Sequence, residues 1–221
     1  EDMGDINGIP RVLDVGQLGV DLRNAIRHRI ALDVTGKAAM PDIEPLALNA
    51  VTSDTGEIAW RLPTKDQGVF EMRSPRTKGF IGHADGQTLD LGDGVQVTIE
   101  KTRTGWCTLA LTLLEGESLS VKPRRALLVA TGYTENTDMG WKDLTKSSVG
   151  TNWGKPPSLI EPVAASLRLP RTGALPTLYP LDERGQRGQG VPFTAIGDNA
   201  AQIRIGPPHG TLWYEIAWPQ Q

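Results

Sequence analysis

Apolar and polar positions alternate along most of the chain, and helical spacing is scarce. Glu57-Ile58-Ala59-Trp60-Arg61-Leu62 alternates with a period of two, the pattern of a half-buried strand. After the polar turn Lys65-Asp66-Gln67 come Gly68 to Arg73 and Thr77 to His83. Gln87 to Leu91 follows Ala84-Asp85-Gly86, and Gln96 to Lys101 follows Asp93-Gly94. Aspartate-glycine pairs between alternating segments signal hairpins, because both central positions of the tight turn need positive φ. This stretch is therefore predicted to be a meander. Trp106 to Leu114 and Arg125 to Thr131 come next. The latter is apolar on both faces at Ala126-Leu127-Leu128-Val129-Ala130, which predicts a central strand covered on both sides.

Residues 132 to 158 read as a long irregular stretch rich in Thr, Asn, Gly and Trp. Segments of that length are usually functional or act as linkers. Beyond it, Ser166 to Leu169, Pro176 to Leu181, Val191 to Thr194, Ala201 to Ile205 and Leu212 to Trp218 are short strand-like runs with turn signals between them. Their regular spacing predicts a second small sandwich. Val20 to Ile30 fits one short helix through Leu22, Ala25, Ile26 and Ile30, and fits equally an extended stretch running on through Ala31-Leu32-Asp33-Val34. The expected class is all-β, with two antiparallel β-sandwich units of immunoglobulin or jelly-roll type in tandem. The boundaries are an N-terminal extension or linking segment over 1–50, a sandwich with a long C-terminal loop over 51–158, and a smaller sandwich over 159–221.

Composition narrows the partners. With 221 residues the chain can bury a core without covalent staples. Its 23 basic against 26 acidic residues give a net charge of −3, so the basic surplus that neutralises a phosphate backbone is missing and nucleic acid is not expected. The longest apolar runs, such as Ala126 to Ala130, fall far short of the roughly 20 residues that cross a bilayer, and no membrane partner is expected. The single cysteine, Cys107, excludes an internal disulfide and reads as a small buried hydrophobe. The start at Glu1, without methionine or an apolar leader, suggests a processed or excised segment of something longer.

Searches for catalytic chemistry find little. His28, His83 and His209 stand alone, which argues against zinc. Asp5-Ile6-Asn7-Gly8 opens like a calcium loop, but the terminal carboxylate of that loop would fall at Gly16. No cofactor is expected, and a structural calcium ion held by other carboxylates and carbonyls stays open. There is no nucleophile elbow. Gly185 to Gly190 is glycine-rich but lies between strands, out of context for a phosphate cradle. Sugar hydrolysis needs two carboxylates, and Glu135 with Asp138, Glu115 with Glu117, and Asp182 with Glu183 all sit in polar turns where solvated charge is the default. No residue is assigned a catalytic role.

The six tryptophans outnumber the three Tyr and the three Phe, and indole packs well on the apolar face of a pyranose while its N–H bonds a partner. Trp60, Trp106, Trp213 and Trp218 lie in or beside alternating strands and read as core or edge packing. Tyr133, Trp141 and Trp153 lie in the irregular stretch beside Glu135 and Asn136, whose polar groups suit sugar hydroxyls. These five form the candidate carbohydrate-binding set. The competing reading is that the same rings plug the junction between two sandwiches.

Several runs carry a family resemblance. Ser53-Asp54-Thr55-Gly56-Glu57-Ile58-Ala59-Trp60, Gly68-Val69-Phe70 and Ser74-Pro75-Arg76-Thr77-Lys78 resemble the opening of the β-sandwich that follows the catalytic barrel in a group of large bacterial glycoside hydrolases. Glu135-Asn136-Thr137-Asp138-Met139-Gly140-Trp141, Trp153-Gly154-Lys155-Pro156-Pro157, Leu181-Asp182-Glu183-Arg184-Gly185 and Thr211-Leu212-Trp213-Tyr214-Glu215-Ile216 extend the likeness, so that it spans residues 52 to 217. It implies a non-catalytic C-terminal region of a secreted, polysaccharide-degrading enzyme, extracellular or periplasmic, whose partners are a poly- or oligosaccharide and the catalytic domain of the larger protein. Nothing in this chain resembles the barrel with its two catalytic carboxylates. A structural spacer or subunit-contact sandwich, and a stand-alone glycoside hydrolase or polysaccharide lyase, remain as alternatives.

Overall fold

The structure, a computed structural model, describes residues 21, 23–30, 45–64, 67–144 and 146–219. Among these it holds one α-helical turn, α1 (Asn24–Arg27), one 3-10 turn (Pro207–His209) and sixteen strands. In chain order they are β1 (Ala50–Thr52), β2 (Ile58–Thr64), β3 (Gln67–Arg73), β4 (Thr77–His83), β5 (Thr88–Asp90), β6 (Gln96–Ile99), β7 (Trp106–Gly116) and β8 (Pro123–Thr131). The remainder are β9 (Thr134–Thr137), β10 (Lys155–Ile160), β11 (Ala165–Pro170), β12 (Thr177–Pro180), β13 (Val191–Pro192), β14 (Thr194–Ile196), β15 (Ala200–Ile205) and β16 (Trp213–Ala217). Of the ambiguous stretch around Val20 to Ile30, the described part is helical only at α1, which ends at the extended His28. Val20, Leu22, Ala31 to Val34, the Asp5 to Gly8 motif and Lys65-Asp66 lie outside the described residues.

The fold is nearly all-β and its sheets are antiparallel, as the alternating pattern predicts. A nine-stranded sheet has the order β1-β2-β3-β4-β7-β8-β16-β12-β13, a five-stranded sheet the order β14-β15-β11-β6-β5, and β9 with β10 forms a separate two-stranded ribbon. A tandem pair of sandwiches is not confirmed. Strands from beyond residue 158 enter both large sheets, β16 beside β8 and β11 beside β6. A single apolar cluster runs from Val69 to Trp218 and takes in Leu109, Leu128, Leu167, Leu178 and Ile216. Each such side chain gains about 1.5–3 kcal/mol on leaving water.

The two aspartate-glycine turns behave differently. Asp93 and Gly94 adopt positive φ, 52° and 78°, and close the expected hairpin between β5 and β6. Asp85-Gly86 instead carries the chain from one sheet to the other, so β4 and β5 do not pair and the meander is interrupted. The long strand β7 already occupies the whole open edge of β4, from Thr77 to His83, and Leu89 and Leu91 bury themselves in the facing sheet.

β8 is central in its sheet, but only its inner face is covered. Ala126, Leu128 and Ala130 are buried, whereas Leu127 and Val129 are half-buried on the outer face. That outer face carries an apolar patch bordered by Thr108, Thr131, Thr112 and Glu215. Cross-strand register aligns Trp60, Phe70 and Ile81 in one row, and Met72, Ala110, Val129 and Trp213 lie along the next. Of the four strand tryptophans only Trp218, 8% exposed, belongs to the core; Trp106 and Trp213 are 39% and 43% exposed on the outer face. The five-stranded sheet turns polar residues outward instead, among them Thr98, Ser166, Arg168 and Gln202.

Candidate functional site

The stretch 132–158, expected to be irregular, is partly a ribbon. β9 and β10 pair in the register Thr134 to Ile160, Glu135 to Leu159 and Asn136 to Ser158, with a bulge at the Pro156-Pro157 step before Lys155 meets Thr137. Neither strand joins either large sheet, so the ribbon is an arm. Its polar Thr-Glu-Asn-Thr strand and its two prolines hide it from a search for apolar alternation.

Glu161 fixes the root of the arm. Its backbone amide donates to the Tyr133 carbonyl at 2.8 Å and its carbonyl accepts from the Gly132 amide at 3.0 Å. Its carboxylate accepts the Arg103 amide at 2.8 Å on one oxygen and the Tyr133 amide at 3.2 Å on the other. Gly132 makes this possible, because a Cβ there would stand 2.8 Å from Glu161 Oε2. Arg103, from the turn between β6 and β7, donates from Nη1 to Glu135 Oε1 at 2.8 Å and lies 4.5 Å above the centroid of the Tyr133 ring. This pairing holds the Glu135 carboxyl below the usual carboxylate range and raises the Arg103 guanidinium further. The Tyr133 hydroxyl lies close enough to Glu135 to favour its ionised form, yet it is buried and makes no hydrogen bond of regular geometry. Arg103, Tyr133, Glu135, Leu159, Ile160 and Glu161 line a cavity of about 250 Å³ that is open to solvent.

Asn136 holds the arm together: its Nδ2 donates to the Trp153 carbonyl at 2.9 Å and its Oδ1 accepts from the Ser158 hydroxyl at 2.7 Å. Beyond it the described residues 138–144 and 146–154 form the turn. The Gly140 amide donates to the Asn152 carbonyl at 3.2 Å and the Lys142 amide to the Ser148 carbonyl at 2.8 Å. The first of these bonds brings the backbones that lead into Trp141 and Trp153 together at the tip. Gly154 has φ 72°, and a Cβ there would stand 2.4 Å from the Thr137 carbonyl oxygen, so Trp153 leaves the ribbon through a position open only to glycine. Trp141 is 37% exposed and Trp153 65%.

The five sequence candidates thus divide. Tyr133 and Glu135 line the root cavity, Trp141 and Trp153 crown the tip, and Asn136 is the clamp between. Arg103, Leu159, Ile160 and Glu161 were not legible as site residues. Arg103 lies far away in sequence, and only the apolar pair Leu159-Ile160 at the end of an otherwise polar stretch hints at a contact surface. The suggested acid pair Glu135 and Asp138 is split between separate cations, Asp138 pairing with Lys155 at 2.6 Å. Glu115 pairs with Arg125 at 2.6 Å, and Asp182 accepts the amides of Arg184 and Gln186 to close its own turn.

Comparison of the chain with protein-family models, curated proteins and solved structures finds no match. Its chemistry is therefore read from the site alone. Among the described residues no group of three or more His, Cys, Asp or Glu side chains stands close enough to hold a metal ion. No described helix is long and apolar enough to cross a membrane. What the arm presents is a pair of accessible indoles at its tip and carboxylate acceptors beside apolar side chains at its root. The indoles can stack on apolar ring faces, and the carboxylates can accept hydrogen bonds from hydroxyl groups.

Proposed function

We propose that this chain is a non-catalytic, carbohydrate-binding accessory region of a secreted bacterial glycoside hydrolase that degrades polysaccharide, and that it acts beside a catalytic domain of the larger enzyme. The observation that carries the reading is the exposure of Trp153 and Trp141 on an arm that projects from the sandwich. The competing role, as plugs between two domains, calls for the same rings to be buried. The family resemblance of residues 52 to 217 supplies the enzymatic and extracellular or periplasmic context. Two stacked rings contribute about 1 kcal/mol each beyond area burial, so affinity for a single sugar segment lies in the high-micromolar to millimolar range. Such weak contacts become effective on a repeating polymer.

Native affinity electrophoresis against a panel of soluble neutral and acidic polysaccharides tests this. Retardation by at least one polymer, abolished in the Trp141→Ala/Trp153→Ala double variant, is the expected result. Migration unchanged on every polymer overturns it.

A second reading has its own support. The outer face of the nine-stranded sheet carries Ile81, Trp106 and Trp213, each about two-fifths exposed, within an apolar surface of the kind that usually meets another protein surface. A spacer or subunit-contact role would use this face and leave the arm without a ligand, which the same gels detect as unretarded migration.

A further inference from the structure

We infer that the cavity at the root of the arm is a separate subsite for a single uncharged or amino-substituted sugar ring, and that it selects against acidic sugars. The inference rests on the carbohydrate reading of the arm and extends it to residues outside the tryptophan tip. At about 250 Å³ the cavity, open to solvent on one side, is of a size to seat one ring.

Its chemistry is unbalanced toward acceptance. Two carboxylates, Glu135 and Glu161, face one guanidinium, that of Arg103, which is already committed to Glu135 at 2.8 Å and to the Tyr133 ring at 4.5 Å. Each carboxylate oxygen of Glu161 accepts one hydrogen bond from a backbone amide, at 2.8 and 3.2 Å, and keeps a further lone pair. The Tyr133 hydroxyl is buried beside Glu135 and makes no hydrogen bond of regular geometry, a situation that folded proteins seldom leave without a partner. A ligand that satisfies these groups brings several O–H or N–H donors. Leu159 and Ile160, 51% and 41% exposed, supply an apolar wall for its C–H face. Neighbouring ring hydroxyls on a pyranose meet all of these requirements at once. A uronate, sulfate or phosphate would add a third anion beside Glu135 and Glu161, against an Arg103 guanidinium already committed to Glu135 and the Lys146 ammonium that also acts on Glu135.

Saturation-transfer NMR on the full chain reads this directly, with methyl glycosides of glucose, galactose, mannose and xylose, with glucosamine, and with glucuronic acid as probes. Saturation transfer to at least one neutral or amino sugar is expected, with affinity about tenfold or more above that for glucuronic acid. Glu135→Gln and Tyr133→Phe, which keep the shape of the site, are expected to lower that affinity about tenfold. Tyr133→Phe alone decides if Glu135→Gln fails to fold. No transfer to any monosaccharide, equal binding of glucuronic acid, or indifference to both cavity variants overturns the subsite. If polysaccharide retardation persists in those cases, the tip reading stands without it; if retardation is absent while monosaccharide transfer persists, the tip reading fails and the subsite stands.

Discussion

The Lys78 ammonium, 1% exposed between the sheets, reaches the half-exposed Asp93 carboxylate at 2.7 Å and the Arg73 carbonyl at 2.9 Å. It ties β4 to the β5–β6 turn of the facing sheet, beside Glu71, which is equally buried and ion-paired to both Arg61 and Arg73. The pair is asymmetric in burial, and that sets an asymmetric cost of breaking it. Asp93→Asn keeps a residue that tolerates the positive φ but strands a buried charge, and is expected to cost about 3–5 kcal/mol. Lys78→Met removes the buried charge, leaves Asp93 to water, and is expected to change stability by less than about 1.5 kcal/mol. Urea unfolding of both variants checks this, and equal losses would contradict it.

Cys107 lies fully buried on the inner face of β7. Burial first, and then the negative charges of Asp85 and Glu161, push its thiol up to about 12 from 9.0. The native protein is expected to resist a thiol reagent at pH 8 and to react only on unfolding, because the thiolate is the nucleophile. The unfolded chain ionises first as pH rises, so the stabilising contribution of the neutral thiol is present below about 9 and declines between 9.0 and about 12. Cys107→Ala is expected to flatten that alkaline decline in thermal unfolding midpoint compared with the unsubstituted chain.

Particular elements show how far the sequence could be read. The strands from Glu57 to Thr131 were legible because their inner rows alternate strictly: Val97 and Ile99 face Leu167 and Ala165 across β6 and β11. A partner across a tight turn was legible, as for β5 and β6 at Asp93-Gly94, but the partners joined by longer connections were not. Alternation states which face is buried and not which neighbour buries it, so two interleaved sheets read as two units in series. The same limit hid Arg103, whose role depends on a turn meeting an arm that starts thirty residues later. Trp141 and Trp153 were found because indoles in a polar stretch stand out, whereas the arm carrying them was not, since β10 lacks a buried face and is exposed at every position.

Gly154 tests whether the arm is a separable device. Alanine there would need φ near 72° and would meet the Thr137 oxygen, a strain of about 1–3 kcal/mol. The clash is confined to the ribbon, which contributes nothing to the core cluster. Gly154→Ala is therefore expected to reorganise the tip, shift tryptophan fluorescence and reduce polysaccharide retardation, while the urea midpoint of the sandwich stays within error of the unsubstituted chain. A large loss of global stability would show that the arm is integral to the sandwich.

The Arg103–Glu135 pair gives the root of the arm an acid limit. Because the guanidinium lowers the carboxyl below the ordinary 4.5, the folded state favours the ionised form. The stabilising contribution is complete above about 4.5 and is lost as pH falls through the depressed folded value. The groups facing Glu135 across the cavity are Arg103, Tyr133 and Glu161, and Lys146 adds a second, weaker cationic influence to that of Arg103. Arg103→Gln is accordingly expected to return the Glu135 titration, followed by carboxyl carbon shifts in NMR, upward toward the ordinary range. In the unsubstituted chain the ring signals of Tyr133 are expected to stay constant from pH 8 to pH 5 and to move only below that, as protonation releases Arg103 from its place over the ring. A Glu135 titration that does not respond to loss of the guanidinium would show that the pair does not hold the root together.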